Sequence, residues 1–349
     1  MKKRMSLLMA VLLITTMILG GCGNSSQSSV SDGTSSDAAT YEMRIAHCTS
    51  EQDPIHLGFS KFKELIEERT EGKIKVTIYP NKAISNSDSE QAEMIKNGSI
   101  EMSSVPTYVL VGMNDTLKSF YIYDYPYLFE SDEEIYKFGD SEMGKEMMNE
   151  LLEKTGIRGY GPYNLGWIKV STSKTPIDKP SDIKGLKIRT TVSELYMETM
   201  KAWGGNATPM AYGEVFTGLQ QGTIDGMMTS TGLYVSDKFY EVQKFMGAIN
   251  PFGIVHIPIV SDAWYQNLPD DLKKVFDETM VDYLAYTREE EAKYENQAIK
   301  TLREKGMTVK EYSEEELEVF KQLAQPVAEK KADLAGAEYI GSVKEFLGK

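Results

Sequence analysis

Along the chain, short apolar runs alternate with longer stretches in which apolar residues recur every three or four positions. Residues 42–48 (EMRIAHC) read as a strand, and from about Pro54 to Arg69 the residues Ile55, Phe59, Phe62, Leu65 and Ile66 make one helical stripe. Lys73 to Tyr79 alternates, with Ile74, Val76 and Ile78 on one face, and Ser87 with Glu90 forms a capping box for a helix ending at Gly98. The stretch Pro180 to Thr229 repeats the arrangement. A strand around Leu186 and Ile188 ends at Arg189, and Ser193 caps a helix carrying Leu195, Met197, Met200 and Trp203 that Gly204-Gly205 stops. A strand at Thr208–Met210, a helix from Glu214 to Gln221 closed by Gly222, and a strand at Thr223–Met228 follow.

This alternation predicts an α/β fold with parallel, helix-covered sheets, whose ligands bind beyond the carboxyl ends of the strands. Arg189 and the turn after Ile224-Asp225-Gly226 stand at such ends. His47 and Asn86 lie in turns that follow strands, where each is either a cleft residue or an ordinary turn residue.

Other segments have different patterns. Tyr121–Phe129 (YIYDYPYLF) is dense in aromatics without interleaved cations, which suits packing or a pocket wall rather than base stacking. Pro269–Gly306 is one helical pattern of about 36 residues, roughly 54 Å long, without the sustained heptads of a coiled coil. Its Glu289-Glu290-Glu291 run reads as a solvated face. Ser313 and Glu316 cap a further helix, which Pro326 is expected to interrupt. At the other end, Met1–Cys22 combines three cations, a short apolar run and Leu19-Gly20-Gly21-Cys22, the pattern of a secretory signal ending in a lipobox. Residues 24–40 are serine-rich with little to bury, as in a tether.

Charge narrows the function. The formal net charge is −14, and loss of Lys2, Lys3 and Arg4 with the signal takes it to −17, which disfavours nucleic acid and anionic lipid headgroups as partners. Binding of an anion would therefore need a local cation. The chain has 38 Lys plus Arg, of which only seven are Arg. A strand-end Arg189 is thus a candidate for a bidentate grip on a carboxylate, with pairing to a nearby Asp or Glu as the competing role. Trp167 is a candidate for stacking on a ligand or for the core. With Cys22 lipidated, Cys48 is the one remaining thiol, so no internal disulfide can form. His47, His56 and His256 make no metal-ligand pattern, and the phosphate-loop, nucleophile-elbow and dinucleotide motifs are missing. No cofactor, metal or enzymatic activity is expected.

The runs GLKIR, AWGGNATPMAYGEVFTGLQQGTIDG and FYEVQKF, with KFKELIEERTEGKIKVTIYP and YDYPYLFES, resemble the substrate-binding proteins of tripartite ATP-independent periplasmic (TRAP) transporters, of the dicarboxylate-binding type, from about Met43 to Lys305. The resemblance implies a two-domain periplasmic-binding-protein-like fold with a ligand cleft between the domains and a long helix spanning both. On this reading residues 1–21 are the signal peptide and 22–40 the lipidated cysteine and tether. Domain I is 41–165, completed by part of 250–349, domain II is 166–250, the spanning helix is 269–306 and C-terminal helices occupy 307–349. The resemblance places the family's second ligand-contacting cation, usually Arg, on Lys169, its polar residue after the DG turn, commonly Asn, on Thr229, and the aromatic that covers the ligand on Tyr212. It implies an extracytoplasmic monomer that passes a small organic acid to a small and a large membrane subunit, and the lipobox adds an expected lipid anchor on Cys22. The alternative is a receptor of the same fold feeding a sensor kinase.

Overall fold

A computed structural model describes residues 40–349 of the chain. The expected signal peptide, Cys22 and all of the tether before Thr40 lie outside the described residues. Eleven strands are present among those residues: β1 (Tyr41–Ala46), β2 (Ile74–Tyr79), β3 (Met102–Pro106), β4 (Ile157–Gly159), β5 (Tyr163–Thr172), β6 (Lys187–Thr190), β7 (Asn206–Pro209), β8 (Gly226–Ser230), β9 (Phe245–Gly247), β10 (Gly253–Ser261) and β11 (Thr308–Lys310). Their main order is β2-β1-β3-β10-β5-β8-β6-β7, with β4 on β10, and β9 between β5 and β11.

The sheet is parallel toward its flanks, where β1 pairs with β2 and β3, and β6 with β7 and β8, and between β9 and β11. The all-parallel expectation is corrected at the centre. There β10 runs antiparallel to β3 and β5, and β5 antiparallel to β8. These two long strands join the flanks, and the expected boundary at 165/166 falls within β5, where Gly166 takes a φ of 102°.

Local signals set the flanking elements. Helix Pro54–Arg69 begins at Asp53, whose side chain accepts from the Ile55 N–H, and Pro54 stands where its missing donor costs nothing. Ser87 Oγ accepts from Glu90 N, while Glu90 Oε2 accepts from Asn86 N, fixing the start of helix Asp88–Lys96. Gly222 closes helix Val215–Gln221 in the left-handed conformation. Ser193 precedes helix Glu194–Ala202 without a capping hydrogen bond, because its hydroxyl donates to Asp124 Oδ2 at 2.6 Å instead.

The long helix, Asp270–Glu304, has 35 residues and spans about 52 Å. It packs on helix Pro54–Arg69 through Phe59 stacked on Tyr283 and Phe62 edge-on to Phe276, both pairs 5.6 Å apart. A Cβ on Gly58 would lie 2.3 Å from Thr287 Oγ1, so glycine permits that approach. Each fully buried side chain of this size contributes about 1.5–3 kcal/mol. Further along, the same face carries Glu291, Ala298 and Leu302. Glu291 is 4% exposed, which corrects the reading of residues 289–291 as a solvated face. Its spacing of four from Thr287 turns it inward, and burial pushes its carboxyl well above the usual range. Helix Glu314–Lys330 also runs through Pro326 without interruption. The buried Phe320, Ala324 and Val327 offset the hydrogen bond that proline removes.

Candidate functional site

The carboxyl ends of β1, β6 and β8 meet segments of β3, β5 and β10 around one small cavity of about 40 Å³. Its wall includes Arg189 and Thr191 from the end of β6, Thr229 from β8, His47, Cys48 and Thr49 from the turn after β1, Ser104 from β3 and His256 from β10. Asp88, Tyr108 and Tyr212 complete its polar lining.

Arg189 is 3% exposed. Its Nε and Nη2 both donate to the Met210 carbonyl, at 3.1 and 3.0 Å, which fixes the plane of the fork. No ion pair, and no hydrogen bond from Nη1, joins Arg189 to another described residue. Burial lowers its pKa, and the main opposing influences are the hydroxyls of Tyr108 and Tyr212 and the carboxylate of Asp88. A buried guanidinium without a carboxylate partner is costly unless an anion is supplied. Pairing of Arg189 with a surface acid, the competing role, does not occur among the described residues.

The Tyr212 ring centroid lies 5.9 Å from the Arg189 guanidinium carbon and 5.4 Å from Lys82 Nζ. Its hydroxyl donates to Asp237 Oδ2, which holds the ring in place. His47 Nε2 lies 3.0 Å from His56 Nδ1, and His47 Nδ1 3.1 Å from Thr49 Oγ1. Burial, then the neighbouring His56, pushes His47 down to about 3, and burial does the same to His256. At neutral pH both imidazoles are therefore uncharged hydrogen-bonding groups.

The cavity thus brings together Arg189, Tyr212, Thr229 and His47. It does not include Lys169, Trp167 or Asn86. Lys169 is 4% exposed, and its ammonium donates to Glu295 Oε1 at 3.2 Å and to the Trp167 carbonyl at 3.1 Å. Trp167 Nε1 donates to Asp132 Oδ1 at 3.0 Å. Asn86 is exposed, and its carbonyl lies 2.9 Å from where a Cβ of Gly213 would be. Asp88, Tyr108, Ser104, Thr191 and His256 are wall residues that the sequence reading did not single out. Asp88 heads helix Asp88–Lys96, two residues past Asn86.

With this geometry in hand, similarity to known proteins is informative. Residues 45–333 match the family of bacterial extracellular solute-binding protein, family 7 (DctP). The C4-dicarboxylate-binding periplasmic protein DctP of Rhodobacter capsulatus is 28% identical over 335 residues, covering 95% of this chain and 98% of that protein. The sugar acid binding protein DctPAm of Advenella mimigardefordensis, solved with galactonate, matches with a TM-score of 0.83 and 26% identity, over 88% of this chain and 97% of that one. A TRAP periplasmic solute binding protein of Shewanella oneidensis, solved with succinate, matches with a TM-score of 0.82 and 27% identity, over 87% and 98%. The fold is that of the two-domain binding proteins of this group. The chain belongs to the DctP family, bacterial extracellular solute-binding proteins of family 7, whose members serve TRAP transporters as solute receptors and are not enzymes.

Proposed function

We propose that this protein captures a small organic acid outside the cytoplasm and delivers it to the small and large membrane subunits of a TRAP transporter. The observation that carries this reading is the buried Arg189 guanidinium, held by Met210 O on one edge and without a carboxylate partner among the described residues. A ligand carboxylate would supply the missing charge through two charge-assisted hydrogen bonds. Tyr212 would cover it, and Thr229 and His47 would contribute polar contacts from opposite flanks of the sheet. Relatives solved with galactonate and succinate support an acid as ligand, and the small cavity suits a compact one.

In this reading, domain I (41–165, completed by part of 250–349) and domain II (166–250) close on the acid, backed by the long helix. Closure requires that the ligand bind the closed state more tightly than the open one. Cys22 carries the lipid anchor, residues 23–40 stand the body off the membrane, and the protein works as a monomer. Among the described residues no helix is long and apolar enough to cross a membrane. Mass spectrometry of the ligand carried through purification identifies the acid. That acid then raises the melting temperature and shrinks the radius of gyration in solution scattering. An unchanged scattering curve contradicts closure, and ligand-dependent kinase signalling without uptake favours the sensor role instead.

A further inference from the structure

Asp88 is the second formally charged residue on the cavity wall. Of the sixteen residues lining it, only Arg189 and Asp88 carry a formal charge, since burial keeps His47 and His256 neutral. Lys82 lies over the Tyr212 ring rather than on the wall.

An acid in the first turn of a helix ordinarily serves the helix itself. Here Ser87 Oγ accepts from Glu90 N and the Glu90 carboxylate from Asn86 N, so two donors at this helix start are met without Asp88. Asp88 makes no ion pair with Arg189, although each influences the other's charge. Burial pushes its carboxyl up to about 6, and the Arg189 charge, the Cys48 thiol, its own backbone N–H and Lys82 oppose that shift.

We propose that Asp88 determines specificity, by accepting a hydrogen bond from a hydroxyl or ammonium on a compact monocarboxylate and repelling a second carboxylate. This rests on the reading of Arg189 as the carboxylate clamp. A monoanion with a donor at its far end neutralises Arg189 and satisfies Asp88 together. A dicarboxylate brings two negative charges to a wall with one cation, and its second carboxylate meets Asp88. Discrimination of this kind comes from the unfavourable contact as much as from the favourable one.

Three four-carbon acids separate the cases: D-erythronate carries hydroxyls, 4-aminobutyrate an ammonium, and succinate a second carboxylate. Titration calorimetry on the mature protein, stripped of co-purified ligand by unfolding and refolding, should give a Kd for D-erythronate or 4-aminobutyrate at least about tenfold below that for succinate, the scale of one charge contact. Whichever of the two binds more tightly identifies the donor as hydroxyl or ammonium. Asp88→Asn removes the charge at constant shape and should shrink the preference by about tenfold or more. If that variant does not fold, Asp88→Ser takes its place. Wild-type preference for succinate, or a ratio unchanged in the folded variant, overturns the inference. If succinate is preferred and Arg189→Lys abolishes its binding, the clamp stands and only the role of Asp88 falls. Absence of binding by all three acids overturns the inference about Asp88, while the clamp is tested with the co-purified acid on Arg189→Lys.

Discussion

Lys169 Nζ lies 3.2 Å from Glu295 Oε1, so an ion pair with side chains 5% and 21% exposed ties β5 to the long helix. Glu295 also accepts from Thr231 Oγ1 at 2.7 Å and from Gly232 N at 3.2 Å. One carboxylate therefore fastens the helix to β5 and to the start of helix Thr231–Ser236. Burial lowers the Lys169 pKa and Glu295 opposes that shift, as expected of a structural pair.

Loss of this pair should appear in stability rather than in affinity. Breaking a buried pair by removing one partner costs about 3–5 kcal/mol. Lys169→Met and Glu295→Gln should both lower the urea midpoint, while the Kd of the folded Lys169→Met protein stays within about threefold of wild type. Calorimetry showing a large loss of affinity with an unchanged midpoint would return Lys169 to the ligand.

Asp53 gives a pH prediction. Burial, then the charge of Asp237, raises its pKa from the usual 3.8 to about 7. The folded protein keeps a proton that the unfolded chain releases between about pH 4 and 7, so this group stabilises at low pH and its contribution is lost as pH rises through that window. Asp53→Asn keeps an oxygen for the Ile55 N–H and should be more stable than wild type at pH 8, by up to roughly 4 kcal/mol, with no gain at pH 4. His47 and His256, held near 3, act in the opposite sense. The readout is therefore the difference between variant and wild-type urea curves at the two pH values. An equal difference at both would contradict the assignment.

The lipid anchor is tested separately. Cys22→Ser should move the protein from the membrane fraction to the soluble fraction of fractionated cells and leave ligand binding intact. Retention in the membrane would mean an uncleaved apolar segment instead.

The flanking strand-helix units were legible because their signals are local, such as the alternation of Ile74, Val76 and Ile78, or the helix stop at Gly222. The central strands were less so. β5 and β10 are mostly buried along their lengths and pair with distant segments, so nothing near them in sequence announces antiparallel pairing. The site divided in the same way. Arg189 stood out by residue type and position at a strand end. Asp88, Tyr108 and His256 each look ordinary locally and become wall residues only when the helix at 88–96, the helix at 107–113 and β10 converge. Family resemblance put Lys169 at the ligand, whereas the partner that holds it, Glu295, is 126 residues away along the chain. Pro326 was read as a helix breaker because its cost is local and the packing that offsets it is not.

The central claim is that Arg189 grips a carboxylate inside a closed cleft, and calorimetry on Arg189→Lys with the co-purified acid tests it most directly. Lysine keeps the charge and loses the fork. Truncating one partner of a buried charge pair costs about 2–5 kcal/mol, so the Kd should rise at least roughly thirtyfold. The circular dichroism of the ligand-free variant should match that of wild type. A folded Arg189→Lys protein that binds the acid as tightly as wild type would contradict the clamp.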